Sequence, residues 1–193
     1  MRIAAIILVS MLLSCSVVAE KATPDNIAHE FYAWVLKSER NTGFPAATEL
    51  NQLANFFTPS LLKLIGDAKS MEAQCIKNTP DGEKPYMIEG SILVGNYEGA
   101  TEVIVGESHK KNKELIVESR LFIIDERYQK SHDYRVHTWT DQLIFIQEGG
   151  KWGIGNIMFE SKSSLAVLLD EYIESAAMLC NQKSGLLPGS DMK

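Results

Sequence analysis

The stretch Leu115-Ile116-Val117-Glu118-Ser119-Arg120-Leu121-Phe122-Ile123 decides the fold. Leu115, Val117, Leu121 and Ile123 fall on alternate positions, and Glu118 and Arg120 on the intervening ones. That two-residue period is the mark of a strand with one face in a core and the other toward water. Working outward, the same period recurs over 102–108, 136–146 and 152–159, with a shorter candidate at 92–94. The joins are short or polar. Lys110-Lys111-Asn112 separates two runs, and the charged stretch 125–134 separates the next two. Gly149-Gly150 lies between Gln147 and Trp152, a hairpin signal because paired glycines accept the left-handed backbone of tight turns. Consecutive strands joined this way pair antiparallel.

Before Tyr86 the period is helical. Thr23-Pro24-Asp25 supplies a cap, a proline at the first helical position and a carboxylate at the positive helix end. Ile27, Phe31 and Trp34 then mark an inner face. Asn41-Thr42-Gly43 and Pro45 break it; Leu50, Leu53 and Phe57 align on a shorter helix. Thr58-Pro59 repeats the start signal for a third helix reaching about Lys77, and 78–85 reads as a loop. After the strands, 163–181 forms an amphipathic helix lined by Leu165, Leu168, Tyr172, Ala176 and Leu179. The expectation is an α+β fold: N-terminal helices packed on a curved, cone-like antiparallel sheet, with a C-terminal helix.

The beginning of the chain carries an address. Arg2 precedes an apolar run over 3–13, followed by small and β-branched residues over 14–19, the pattern of a secretory signal peptide. The run is about half of what a membrane-spanning helix needs, so no transmembrane span is expected in the mature chain. Two cleavage readings stand. Val17-Val18-Ala19 suits ordinary cleavage before Glu20 and a periplasmic or secreted protein. Leu12-Leu13-Ser14-Cys15 resembles a lipobox, in which Cys15 is lipidated and the domain is anchored to the envelope. Residues 20–181 then form a single domain, and 182–193, with its Gly, Ser and Pro, a flexible tail.

Removing the leader deletes one positive charge, Arg2, and takes the formal net charge from −6 to −7. An acidic surface repels phosphate backbones, so nucleic acid is not expected as a partner. It suits solubility or a basic protein partner. Besides Cys15 there are two cysteines, Cys75 and Cys180, each ending an apolar helical stripe: Leu64, Ala68, Met71, Cys75 and Leu169, Ile173, Ala176, Cys180. In an oxidising compartment they can form a disulfide; otherwise they are buried thiols acting as small hydrophobes.

No motif for a cofactor, a metal, a phosphate loop or a nucleophile elbow is present. Of the histidines, His29 lies on the first helix beside the Ile27–Phe31 face, at the border of the buried side, and His109 and His132 lie in polar turns. His137, Trp139 and Asp141 share one strand face. Along a strand His137 and Asp141 are about 13 Å apart, too far for a direct hydrogen bond. Two roles stand for Asp141: a base beside Trp139 in a pocket, or a structural carboxylate with Trp139 in the core. The candidate pocket comprises Trp34, His137, Trp139 and Asp141.

Several ordered blocks carry a family likeness: Phe31-Tyr32-Ala33-Trp34, Phe57-Thr58-Pro59-Ser60-Leu61, Glu89-Gly90-Ser91 through Tyr97-Glu98-Gly99-Ala100-Thr101, Trp139-Thr140-Asp141 and Lys151-Trp152-Gly153-Ile154-Gly155-Asn156-Ile157. Together they resemble uncharacterised bacterial secreted proteins of the nuclear-transport-factor-2-like superfamily, also called cystatin-like. Where such proteins commonly carry two acidic residues, this chain has Gly155-Asn156. The resemblance implies a cone fold used by isomerases, dehydratases, ligand-binding modules and interaction domains, toxin-immunity proteins among them. With no catalytic signature, the expected function is a non-catalytic binding or protein-interaction module, with an unknown protein or a small apolar molecule as partner. An isomerase-like enzyme using Asp141 is the alternative.

Overall fold

Local chemistry starts each helix of the computed structural model, which describes residues 22–38, 43–112, 114–130 and 133–182. The leader expected over 1–19, with Cys15, and residues 183–193 of the expected tail lie outside the described residues. Helix α1 (Pro24–Lys37) begins where the Thr23 hydroxyl accepts the Asn26 N–H at 3.3 Å, with Pro24 in the first turn. Asp25 accepts from the Ser108 N–H at 2.6 Å and the Ser108 hydroxyl at 2.8 Å, which pins the helix start to the sheet. Burial alone would raise the Asp25 carboxyl; the Ser108 donors outweigh it and hold it below the ordinary value. Helix α2 (Ala47–Leu53) is short. Helix α3 (Pro59–Asn78) repeats the α1 device, Thr58 Oγ1 accepting the Leu61 N–H at 3.3 Å.

The sheet has four strands, β1 (Glu102–Lys111), β2 (Glu114–Ile124), β3 (Val136–Glu148) and β4 (Lys151–Met158), in sequence order and all antiparallel. Strand β2 has the bounds that its alternation predicts. Val117, Ser119 and Leu121 face Leu143, Asp141 and Trp139 across the β2–β3 ladder. All six are buried. Gly149 and Gly150, with φ of 60° and 79°, make the β3–β4 turn. Register irregularities lie between Val105 and Ser108 and between Ile144 and Phe145; such bulges bend strands. Gly106 sits in the first, where a Cβ would come within 2.6 Å of the Glu118 carbonyl. The far edge of β4 is not open at its middle. Thr58 N–H donates to the Ile154 carbonyl at 3.0 Å and Ile154 N–H to the Phe56 carbonyl at 2.8 Å.

Helix α4 (Leu165–Gln182) lays Leu165, Leu169, Tyr172, Ala176 and Cys180 into the core. Asn156 Oδ1 accepts the Ala166 N–H at 3.1 Å, supplying an acceptor to the helix's first turn. A Cβ at Gly155 would press to 2.7 Å from Ile146. Gly155 thus has a local job that no larger side chain could do without displacing Ile146. The sulfurs of Cys75 and Cys180 are bonded, with Cα atoms 5.1 Å apart, joining the C-terminal ends of α3 and α4.

Five expectations need correction. His109 lies within β1, paired with Ile116, rather than in a turn. Residues 92–94 form no strand: Ile92 and Val94 are buried alternately, which imitates a strand, but their segment belongs to the loop between α3 and β1. Its backbone bonds elsewhere, Ser91 N–H donating to the Tyr97 carbonyl and Gly95 N–H to the side chain of Asp141. Leu179 is 49% exposed, because α4 turns Cys180 rather than Leu179 toward α3. Trp34 is half-buried, and Tyr32 and Val35 take the inner face with Ile27 and Phe31. Phe57 lies beyond the end of α2, in the bridge to β4.

Candidate functional site

Two regions carry chemistry. The first is the interior around Asp141, on the core face of β3. Asp141 has no exposed surface. Its Oδ2 accepts the Gly95 N–H at 2.7 Å and the Trp139 Nε1–H at 3.2 Å. The fit is close enough that a side chain at Gly95 would run into Oδ1, so glycine is required there. Ser119 stands directly across the ladder, and Tyr32 of α1 faces the same place. Asp141 Oδ1, Ser119 Oγ and Tyr32 Oη are all buried, and none has a hydrogen-bond partner in the present geometry. Burial raises the Asp141 carboxyl to about 6; the Gly95 and Trp139 N–H groups restrain the rise, and the Glu160 charge adds to it. Burial, then the Asp141 charge, pushes the Tyr32 phenol far above its usual range.

The candidate pocket residues divide. His137 is exposed, and its ring stacks on Trp139 at 5.7 Å between centroids. Trp139 is buried and reaches Asp141 through its indole N–H. His137, Trp139 and Asp141 therefore form a file of contacts without a direct His–Asp bond. Trp34 keeps other company: its Nε1–H donates to Gln52 Oε1 at 2.6 Å and its ring packs on Phe56. Phe31, Tyr32, Leu121, Leu143 and Phe145 fill the space between α1 and the sheet.

The second region is a groove of about 380 Å³ walled by the disulfide. Cys75 and Thr79 come from the end of α3, Leu179 and Cys180 from α4, and Tyr86 and Met87 from the following loop. Tyr86, Met87 and Leu179 are 38%, 40% and 49% exposed. The neighbouring Ile76 and Met178 are also exposed. The loop is held in place from both helices. Tyr86 stacks on Tyr172 at 5.3 Å, the Tyr172 hydroxyl donates to the Tyr86 carbonyl at 3.2 Å, and Glu72 accepts the Ile88 N–H at 3.1 Å. An ion pair between Lys84 and Glu89 marks the rim.

Among the described residues, no group of three or more His, Cys, Asp or Glu is placed to hold a metal ion. Also among them, no helix is long and apolar enough to cross a membrane. Sequence reasoning missed Tyr32, Ser119, Gly95 and the groove. Ser119 had a readable signal, a hydroxyl on the apolar side of β2. Gly95 had none, since its role depends on a contact 46 residues away. No protein-family model, no curated protein and no solved structure matches the chain.

Proposed function

We propose that this protein is a non-catalytic, extracytoplasmic binding domain of the nuclear-transport-factor-2-like type, which grips a protein partner in the groove beside Cys75 and Cys180. The observation that carries the reading is the placement of exposed Tyr86, Met87 and Leu179 around one concavity. Aromatic and Met side chains in a depression are the usual anchors of a protein interface. The chain's formal net charge of −6 favours a partner segment with an apolar anchor flanked by basic residues. A disulfide wall fits an oxidising compartment, as does the leader pattern over 1–19. A toxin-immunity role is the specific form of this reading, the toxin being the basic partner.

The experiment is capture of basic proteins secreted by the source cells on the immobilised mature domain, in parallel with Met87→Glu. Retention of a defined protein by the native domain and its loss with Met87→Glu supports the groove. Equal retention by both overturns it. The isomerase-like alternative is favoured by one observation, the upward shift of Asp141 to about 6, near a useful pH for a base. Its burial opposes it, since a base must reach a substrate proton. Turnover of an enolisable ketone that Asp141→Asn abolishes would establish that alternative.

A further inference from the structure

Among the described residues, three buried side-chain oxygens have no hydrogen-bond partner: Asp141 Oδ1, Ser119 Oγ and Tyr32 Oη. They come from β3, β2 and α1, yet they meet. Ser119 and Asp141 are direct cross-strand partners, which sets their β-carbons about 5 Å apart on one face of the sheet. The Tyr32 hydroxyl lies close enough to act on both. Asp141 Oδ2 is already bonded to the Gly95 and Trp139 N–H groups, so Oδ1 is the oxygen in need of a donor. Native interiors rarely leave one such atom unpaired, because the lost hydration is not recovered. Three at one point call for a common partner.

We propose that the interior is a binding site for one resident water molecule, held jointly by Asp141 Oδ1, Ser119 Oγ and Tyr32 Oη. The count of donors and acceptors closes. The carboxylate oxygen only accepts, whereas each hydroxyl donates once and also accepts. A water gives one hydrogen to Oδ1 and the other to one hydroxyl, and accepts from the second hydroxyl. All three oxygens are then satisfied at once. Buried waters typically make about three hydrogen bonds to groups that would otherwise go without. The bound water supplies the enclosed carboxylate with a donor and joins α1 to β2 and β3 through polar contacts. The three residues that hold it are buried, so its exchange with bulk water requires a local opening of the fold. The site is separate from the groove and does not depend on what the groove binds.

Oxygen-17 magnetic relaxation dispersion counts long-lived waters in solution and tests the site. The native chain is compared with the double variant Tyr32→Phe, Ser119→Ala, which removes both hydroxyls and leaves the apolar packing. The expected result is a dispersion amplitude lower by one water in the variant. Equal amplitudes overturn the proposal. Should the variant fail to fold, a crystal structure of the native chain at a resolution that places ordered water decides the matter. One density peak at about 2.6–3.2 Å from all three oxygens supports the site. The three oxygens bonded directly to one another or to the Glu160 N–H, with no peak between them, overturn it.

Discussion

The interior around Asp141 and the groove beside the disulfide are served by one loop, yet they are built from opposite materials. At Asp141 polar atoms are enclosed: a carboxylate and two hydroxyls are buried with the side chains of the core. At the groove apolar atoms are open to water, and polar ones such as Glu72 and the Tyr172 hydroxyl work underneath to hold the loop. Enclosure restricts what can act on Asp141 to something as small as a proton or a water molecule. Openness leaves the groove suited to a large partner, but gives it little part in holding the fold. The contrast therefore predicts that stability and binding separate by residue.

The largest expected effect tests whether the groove's wall differs from its lining. Replacing both Cys75 and Cys180 by Ala releases a closure spanning 105 residues. The loss should be about 4 kcal/mol in denaturant unfolding, with the Asp141 titration unchanged because the sheet does not depend on the link. A comparable shift of that titration would show the two regions to be coupled. Next comes the interior. Its carboxyl rises from 3.8 to about 6 on folding, so the folded state binds the proton more tightly than the unfolded one. The resulting stabilisation is fully present below pH 3.8 and is lost as pH rises through 6, about 3 kcal/mol in all. Asp25, held low by Ser108, has the opposite sign and weakens the fold only in stronger acid. Urea melts at pH 4.5 and 7.5 for the native chain and Asp141→Asn isolate the effect of this carboxyl: the native chain should lose stability over this range relative to the variant.

The smallest effects belong to the groove's lining. Tyr86→Ala removes the stack on Tyr172 and should cost about 1 kcal/mol. Met87→Glu touches only surface and should stay within about 0.5 kcal/mol of the native chain by thermal unfolding. A loss of several kcal/mol with Met87→Glu would mean that the groove is part of the core after all.

Much of this architecture is legible in the chain because the controlling signals are local. Alternation fixes β2, and the pairs Thr23-Pro24 and Thr58-Pro59 fix two helix starts. The cysteines ended stripes that face one another, and they are bonded. What local pattern could not provide was the destination of the loop after α3. Ile92 and Val94 alternate like strand residues, but a strand needs a neighbour for its N–H groups, and here a carboxylate 46 residues on supplies one. Trp34 and Leu179 failed for a related reason. A helix face turns by 100° per residue, so a stripe drawn one residue off exchanges a core side chain for a surface one. The file of His137, Trp139 and Asp141 followed from strand period alone, whereas Tyr32 enters from α1 and needed the packing of helix on sheet.

The bridge of residues 56–58 to Ile154 has a consequence for assembly. A sheet with two free borders can add copies on both and grow without limit. Here one border is already occupied at its centre by the protein's own backbone, so edge-to-edge addition has only the β1 side to use. Two molecules joined there would each present a sealed border outward, and growth by this route would stop at a pair.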